Sequence, residues 1–191
     1  MPKKRTKRHW VDEYLVPLEP CDKSGAIEKA RKYADPQAAW DAWDDGAELL
    51  WNLEKCGEKD TLKLVLCVCE IAERVLPIFE AEYPDDNKPR KAIEAARRYA
   101  ENPSEENRLA VNTACDDVCA VRVAAYYTAR AAARALVYDT LTARDAVCAV
   151  YAVNVVYDAA NAVNDNVAEK KAQADIVRKY FPTSPFVKEE N

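Results

Sequence analysis

The sequence predicts an all-α fold, a single-domain helical bundle with a long alanine-rich antiparallel helical hairpin in its C-terminal half. Three observations carry that prediction. From Ser104 to Phe181 the chain runs 78 residues without glycine or proline, and 20 of them are alanine. Alanine is the best helix former, and the two strongest helix breakers are missing. All three glycines (Gly25, Gly46, Gly57) fall in the first third, where glycine and proline together mark out shorter helices. No alternating apolar pattern bounded by turn residues suggests a strand or hairpin of strands.

The expected organisation is a basic, flexible tail over residues 1–20, a helical domain over 21–182, and a short tail over 183–191. A chain of 191 residues, 49% of them hydrophobic, is long enough to bury a real core. No apolar run approaches the roughly 18 residues needed to cross a bilayer. The first ten residues, MPKKRTKRHW, are followed by VDEYLVPLEP rather than an apolar segment, so a secretory signal is not expected and the expected location is the cytoplasm.

Asp35-Pro36 is a good helix start, with Asp35 as cap and Pro36 in the first turn, and opens a short helix ending at Asp45. A second spans Ala47 to Cys56, with Gly46 and Gly57 read as helix ends. Asp60 caps a longer helix over Thr61 to Tyr83, where Leu62, Val65, Leu66, Cys69, Ala72 and Leu76 keep helical spacing. Pro77 is expected to kink it or split off its last turn. Residues 84–88 form a turn, Pro89 opens a helix reaching Glu101, and Asn102-Pro103-Ser104 ends that helix and caps the next. Trp40, Trp43 and Trp51 read as core.

A single rod over 104–181 would be about 115 Å long, too long for a domain of this size. The expected turn is Tyr138–Thr142. Val111, Ala114, Val118, Val121 and Ala125 on one arm, and Ala146, Ala149, Val153, Val156, Ala160, Val163 and Val167 on the other, step in a heptad rhythm.

Chemistry is mostly excluded. His9, the single histidine, sits in the basic tail, so the usual base for a serine or cysteine nucleophile is missing. No glycine follows Gly57, which rules out a phosphate-binding glycine loop beyond it. Cys67, Cys69, Cys115 and Cys119 lie in helical pattern at spacings unlike zinc ribbons or knuckles, and read as reduced, buried thiols. The carboxylates Asp85, Asp86, Asp116, Asp117, Asp139, Asp145, Asp158 and Asp165 read as caps and solvated faces rather than magnesium ligands. Neither an enzyme nor a cofactor nor a metal is expected. Asp85 and Asp86 are expected to form a local ion-pair network with Arg90 and Lys91.

Net charge is −5, but Lys3, Lys4, Arg5, Lys7 and Arg8 stand without an acid in the first ten residues. The remainder holds 23 basic against 33 acidic groups, so a cationic tail joins an acidic body. Such a tail is either a solvated terminus or a nucleic-acid contact, and a salt-dependent shift lost on deleting residues 1–9 would identify the second.

WDAWDDGAELLWNLEKCG, TLKLVLCVCEIAERVLPIFE, YPDDNKPRKAIEAARRYAENPS and a terminal ADIVRKYFP, in that order over about Asp35 to Pro182, resemble an immunity-protein family of bacteria and phages. Its pattern is DDxxPRKAIEAAxxxA with a terminal IVRKYFP, matched here by Asp85, Asp86, Pro89, Arg90, Lys91, Ala92, Ile93, Glu94 and Ala95. The resemblance implies a helical protein that blocks a toxin or host effector by binding it, with no catalytic residues. The partner-binding residues so indicated are Asp85, Asp86, Lys88, Arg90 and Lys91. The alternative is a nucleic-acid-associated helical protein using Lys3 to Arg8.

Overall fold

A computed structural model describes residues 8–20, 25–118 and 166–187, and these form a helical bundle with no strand among them. A π-turn (Val11–Leu15) and a 3₁₀ turn (Val16–Leu18) precede α1 (Ala26–Ala30), α2 (Pro36–Ala42), α3 (Gly46–Lys55), α4 (Thr61–Glu82), α5 (Lys88–Glu101), α6 (Glu105–Val118) and α7 (Asn166–Tyr180). α5 packs between α4 and α6, while α7 packs against α3 and α4. α4 is thus the spine on which the two halves meet.

Local chemistry sets the helix starts much as the sequence suggests. Asp35 Oδ1 accepts from Ala38 N at 2.8 Å, with Pro36 opening α2. Asp60 Oδ1 takes Lys63 N at 3.0 Å at the start of α4, and Ser104 Oγ takes Asn107 N at 3.2 Å at the start of α6. Each cap satisfies a backbone donor that the first helical turn leaves free. Gly57, at φ 77, closes α3 in the left-handed conformation that favours glycine.

Four expectations change. α2 ends at Ala42 rather than Asp45, because Asp45 caps α3, accepting from Ala47 N at 3.0 Å and Glu48 N at 3.2 Å. Gly46 therefore begins a helix instead of ending one, and its missing side chain lets α3 approach α7 at Gln173. α4 is one helix through Pro77, so its last turn is not split off there. The supposed tails also pack: Trp10, Val11 and Leu15 at one end, and Ser184 and Phe186 at the other, are buried.

α4 buries two flanks. Leu64, Cys67, Ile71 and Val75 join a core with Trp10, Leu15, Trp40, Trp43, Leu49, Leu50, Leu53, Ala174, Val177, Phe181 and Phe186. The other flank buries Val65, Val68, Cys69, Ala72 and Leu76, and there Cys69 Sγ donates to Ile93 O of α5 at 3.8 Å. Alanines at 92, 95, 96 and 100 form the buried side of α5, and such small residues let the axes of neighbouring helices approach. Trp40 and Trp43 are core as expected, whereas Trp51 is only partly buried against it.

The turn at Tyr138–Thr142 and the seam positions from Val121 to Val163 lie outside the described residues, as do Cys119, Asp139, Asp145, Asp158 and Asp165. Of the seam positions inside them, Val111 is buried, but Val167 is 76% exposed and does not serve as a packing residue.

Candidate functional site

The sequence element DDNKPRKAIEAARRYA builds the corner between α4 and α5. Asp86 N donates to Tyr83 O at 3.1 Å, and Asp86 Oδ1 accepts from Lys88 N at 3.1 Å, so the turn is closed by its own aspartate. Lys91 N reaches Asn87 O at 3.0 Å to start α5. Tyr83, Pro84, Asp85, Asp86, Asn87 and Lys88 line an open depression of about 510 Å³. Tyr83, in its lining, and Ile78 of α4 are exposed large side chains.

The motif divides into a buried half and an exposed half. Pro89, Ala92, Ile93, Ala95, Ala96 and Ala100 are buried, while Asp85, Lys88, Arg90 and Lys91 are exposed and Asp86 is intermediate. The expected pairing of Asp85 and Asp86 with Arg90 and Lys91 does not form. Arg90 instead makes two contacts of 2.7 Å with the Glu80 carboxylate of α4. Arg97 meets Glu73 in the same way at 3.1 and 2.7 Å. The two rungs are seven residues apart on each helix, so they set the antiparallel register of α4 against α5. Among the described residues no ion pair involves Asp85, Lys88 or Lys91. They are charges the fold does not use.

Arg90 holds the Glu80 carboxyl below its ordinary range through their hydrogen bond, and Glu80 raises Arg90 in return. Burial pushes Glu70 upward, but hydrogen bonds from Lys179 and Tyr180 outweigh it and leave this carboxyl low as well. A carboxyl lowered on folding stabilises the protein above its unfolded value, and that stability is lost as pH falls through the folded value. Melting temperature should therefore hold above pH 4.5, the ordinary value for both groups, and drop below it. The variant Glu70→Gln/Glu80→Gln should show a flatter acid limb in a pH series of thermal melts.

IVRKYFP proves to be an anchor. Val177 and Phe181 are buried. Arg178 Nη1 caps the end of α2 through Trp40 O at 3.2 Å and Trp43 O at 2.5 Å. Lys179 Nζ and Tyr180 Oη both donate to Glu70 of α4, at 2.7 and 2.9 Å. Burial, then Glu70, push Tyr180 up to about 12.

Cys56, Cys67 and Cys69 are poorly suited to chemistry. Burial raises Cys56 to about 11 and Cys69 to about 12, and lifts Cys67 further still. Thiols so raised stay protonated at neutral pH, whereas nucleophiles and metal ligands are thiolates. Among the described residues no three His, Cys, Asp or Glu side chains gather to hold a metal. Among the same residues no helix is long and apolar enough to cross a membrane. Of the basic run, Lys3, Lys4, Arg5 and Lys7 lie outside the described residues, and Arg8 is exposed.

A family model described as Imm-5 like putative immunity protein matches residues 54–178, more than half of the chain. The chain belongs to that family. No curated protein and no solved structure matches it. The matched stretch holds α4, α5, α6, the corner between α4 and α5, and α7 as far as Arg178. It is narrower than the likeness read from Asp35 to Pro182: the segment with Trp40, Trp43 and Trp51, and the final KYFP, lie outside it.

Two features of the site escaped the sequence reading. Glu73 and Glu80 were not named as partners of α5, although their seven-residue spacing repeats that of Arg90 and Arg97. Glu169 is buried against Arg74 at 2.8 Å, and no local pattern marks a pair 95 residues apart.

Proposed function

We propose that the chain is a protein-binding inhibitor of the immunity type, which blocks a toxin or host effector by covering its working surface, without catalysis. One observation supports this beyond family membership. Of the motif's exposed charges, Asp85 and Lys88 line an open depression, and neither they nor Lys91 take part in the ion pairs that hold α4 to α5. Charges left unpaired on a rigid corner cost little in the free protein and are available to a partner. The net charge of −5 favours encounter with a basic protein surface, since summed charge steers association at long range.

The test is capture of protein partners from cells by the tagged full chain, beside the variant Asp85→Lys/Lys88→Glu/Lys91→Glu. The wild type should retain a protein and protect cells against a toxin encoded nearby. The variant should lose at least about tenfold of that capture with an unchanged melting temperature, because rim charges act on association more than on folding. A wild-type chain that captures nothing and protects against no neighbouring toxin would sink the reading.

A further inference from the structure

The two ends of the described chain meet on one side of the bundle. The rings of Trp10 and Phe186 lie 5.6 Å apart at 42°, and both are buried. Trp10 Nε1 also donates to Tyr33 O at 3.0 Å, so this one side chain touches the first helical layer and the carboxyl-terminal segment together. The segment itself is gripped by Gln37 of α2. Gln37 Nε2 donates to Pro182 O at 2.9 Å, and Gln37 Oε1 accepts from Ser184 N at 2.8 Å. Ser184 Oγ then takes Phe186 N at 3.4 Å, and Val187 N reaches Ser184 O at 3.1 Å, which turns the Phe186 ring towards the core.

The amino-terminal segment has little to hold it by itself. It consists of a five-residue π-turn and a three-residue 3₁₀ turn, ending at Glu19 in the left-handed region at φ 54. Helical turns this short do not persist alone in water. Val11 and Leu15 are fully buried, so what they pack against keeps the segment in place. That core reaches only one flank of α4, the flank of Leu64, Cys67, Ile71 and Val75. The α4–α5 interface lies on the other flank.

We infer that Phe186 and Gln37 form a latch, by which residues 181–187 hold residues 10–18 on the bundle, and that the two ends open as one unit while α4 and α5 stay closed. The basic run of Lys3, Lys4, Arg5, Lys7 and Arg8 is joined to the body just before Trp10. The run is thus joined in sequence to the segment that the latch holds.

Hydrogen exchange read by mass spectrometry on the full chain tests the latch, comparing wild type with Phe186→Ala and with Gln37→Ala. Exchange across residues 11–18 should quicken about tenfold or more in both variants, while α5 keeps its wild-type protection. Gln37→Ala removes three hydrogen bonds at a partly exposed site, two of them to the carboxyl-terminal segment and one to Asp41 of α2, and keeps the test open if Phe186→Ala does not fold. Unchanged exchange over 11–18 would overturn the latch. So would an equal rise in α5, which would mean that the whole bundle loosens together.

Discussion

Gly46→Ala should lower the melting temperature by about 6–12 °C, the equivalent of about 3 kcal/mol in a chain of this size. A Cβ at Gly46 would stand 2.7 Å from Gln173 Cβ, 2.9 Å from Gln173 C and 3.0 Å from Ala174 N. Two of these three atoms are backbone, so no rotamer change relieves the contact and α7 itself has to move. The same stretch of α7 carries Lys170, paired with Asp45 at 2.8 Å, and Glu169, which holds Arg74 and Gln173. A shift of α7 strains all of these. Alanine's better helix propensity offsets at most about 1 kcal/mol, and less in a first turn. Gly57 is the control: nothing lies within 4 Å of its Cβ position, and only its φ of 77 resists substitution, at a cost of about 1–2 kcal/mol. Thermal melts followed by circular dichroism decide the matter. If Gly46→Ala melts no lower than Gly57→Ala, α3 and α7 do not approach as closely as the geometry requires.

Gly46 also marks where sequence reading stops. The helix starts at Asp35, Asp60 and Ser104 were legible because a cap acts within three residues of itself. A glycine's role depends on what comes near it, and Gln173 lies 127 positions further along the chain. Arg90 was misassigned for the same kind of reason. Asp85 and Asp86 are the acids shortly before it in sequence, but they lie in the turn that closes the corner, while antiparallel packing brings Glu80 to its guanidinium. Trp10, Val11 and Leu15 read as tail because three apolar residues in two short turns show no periodicity over a usable length. Their burial comes wholly from tertiary contact.

The candidate site was legible in a different way. The motif pointed to the corner between α4 and α5, and only the structure separates its packing residues from its exposed charges. Ala92, Ile93, Ala95 and Ala96 pack α5 on the bundle, and Arg90 and Arg97 fix its register. Asp85, Lys88 and Lys91 remain as exposed charge. Arg90, counted with them as a partner contact, is committed to Glu80, so its substitution should disturb the α4–α5 corner before it disturbs a partner.

Trp40→Ala should be the more damaging core change, lowering stability by about 4 kcal/mol and the melting temperature by about 8–16 °C. Trp40 is 1% exposed, so its removal leaves a cavity within the core that joins α2 and α3 to α4 and α7. Its Nε1 donates to Phe181 O at 2.9 Å, and that carbonyl is left buried without this donor. Trp40→Phe keeps most of the ring volume and loses the hydrogen bond, so it should cost only about 1–2 kcal/mol. The comparison bears on function as well as on folding. Trp40 belongs to the layer outside residues 54–178 and packs on the flank of α4 that faces away from α5. At a temperature where Trp40→Ala is still folded, it should capture the partner as well as wild type does. The charge-reversed corner variant should do the opposite, losing capture while melting normally. If folded Trp40→Ala loses capture and the corner variant keeps it, the docking surface lies on the terminal layer rather than at the α4–α5 corner.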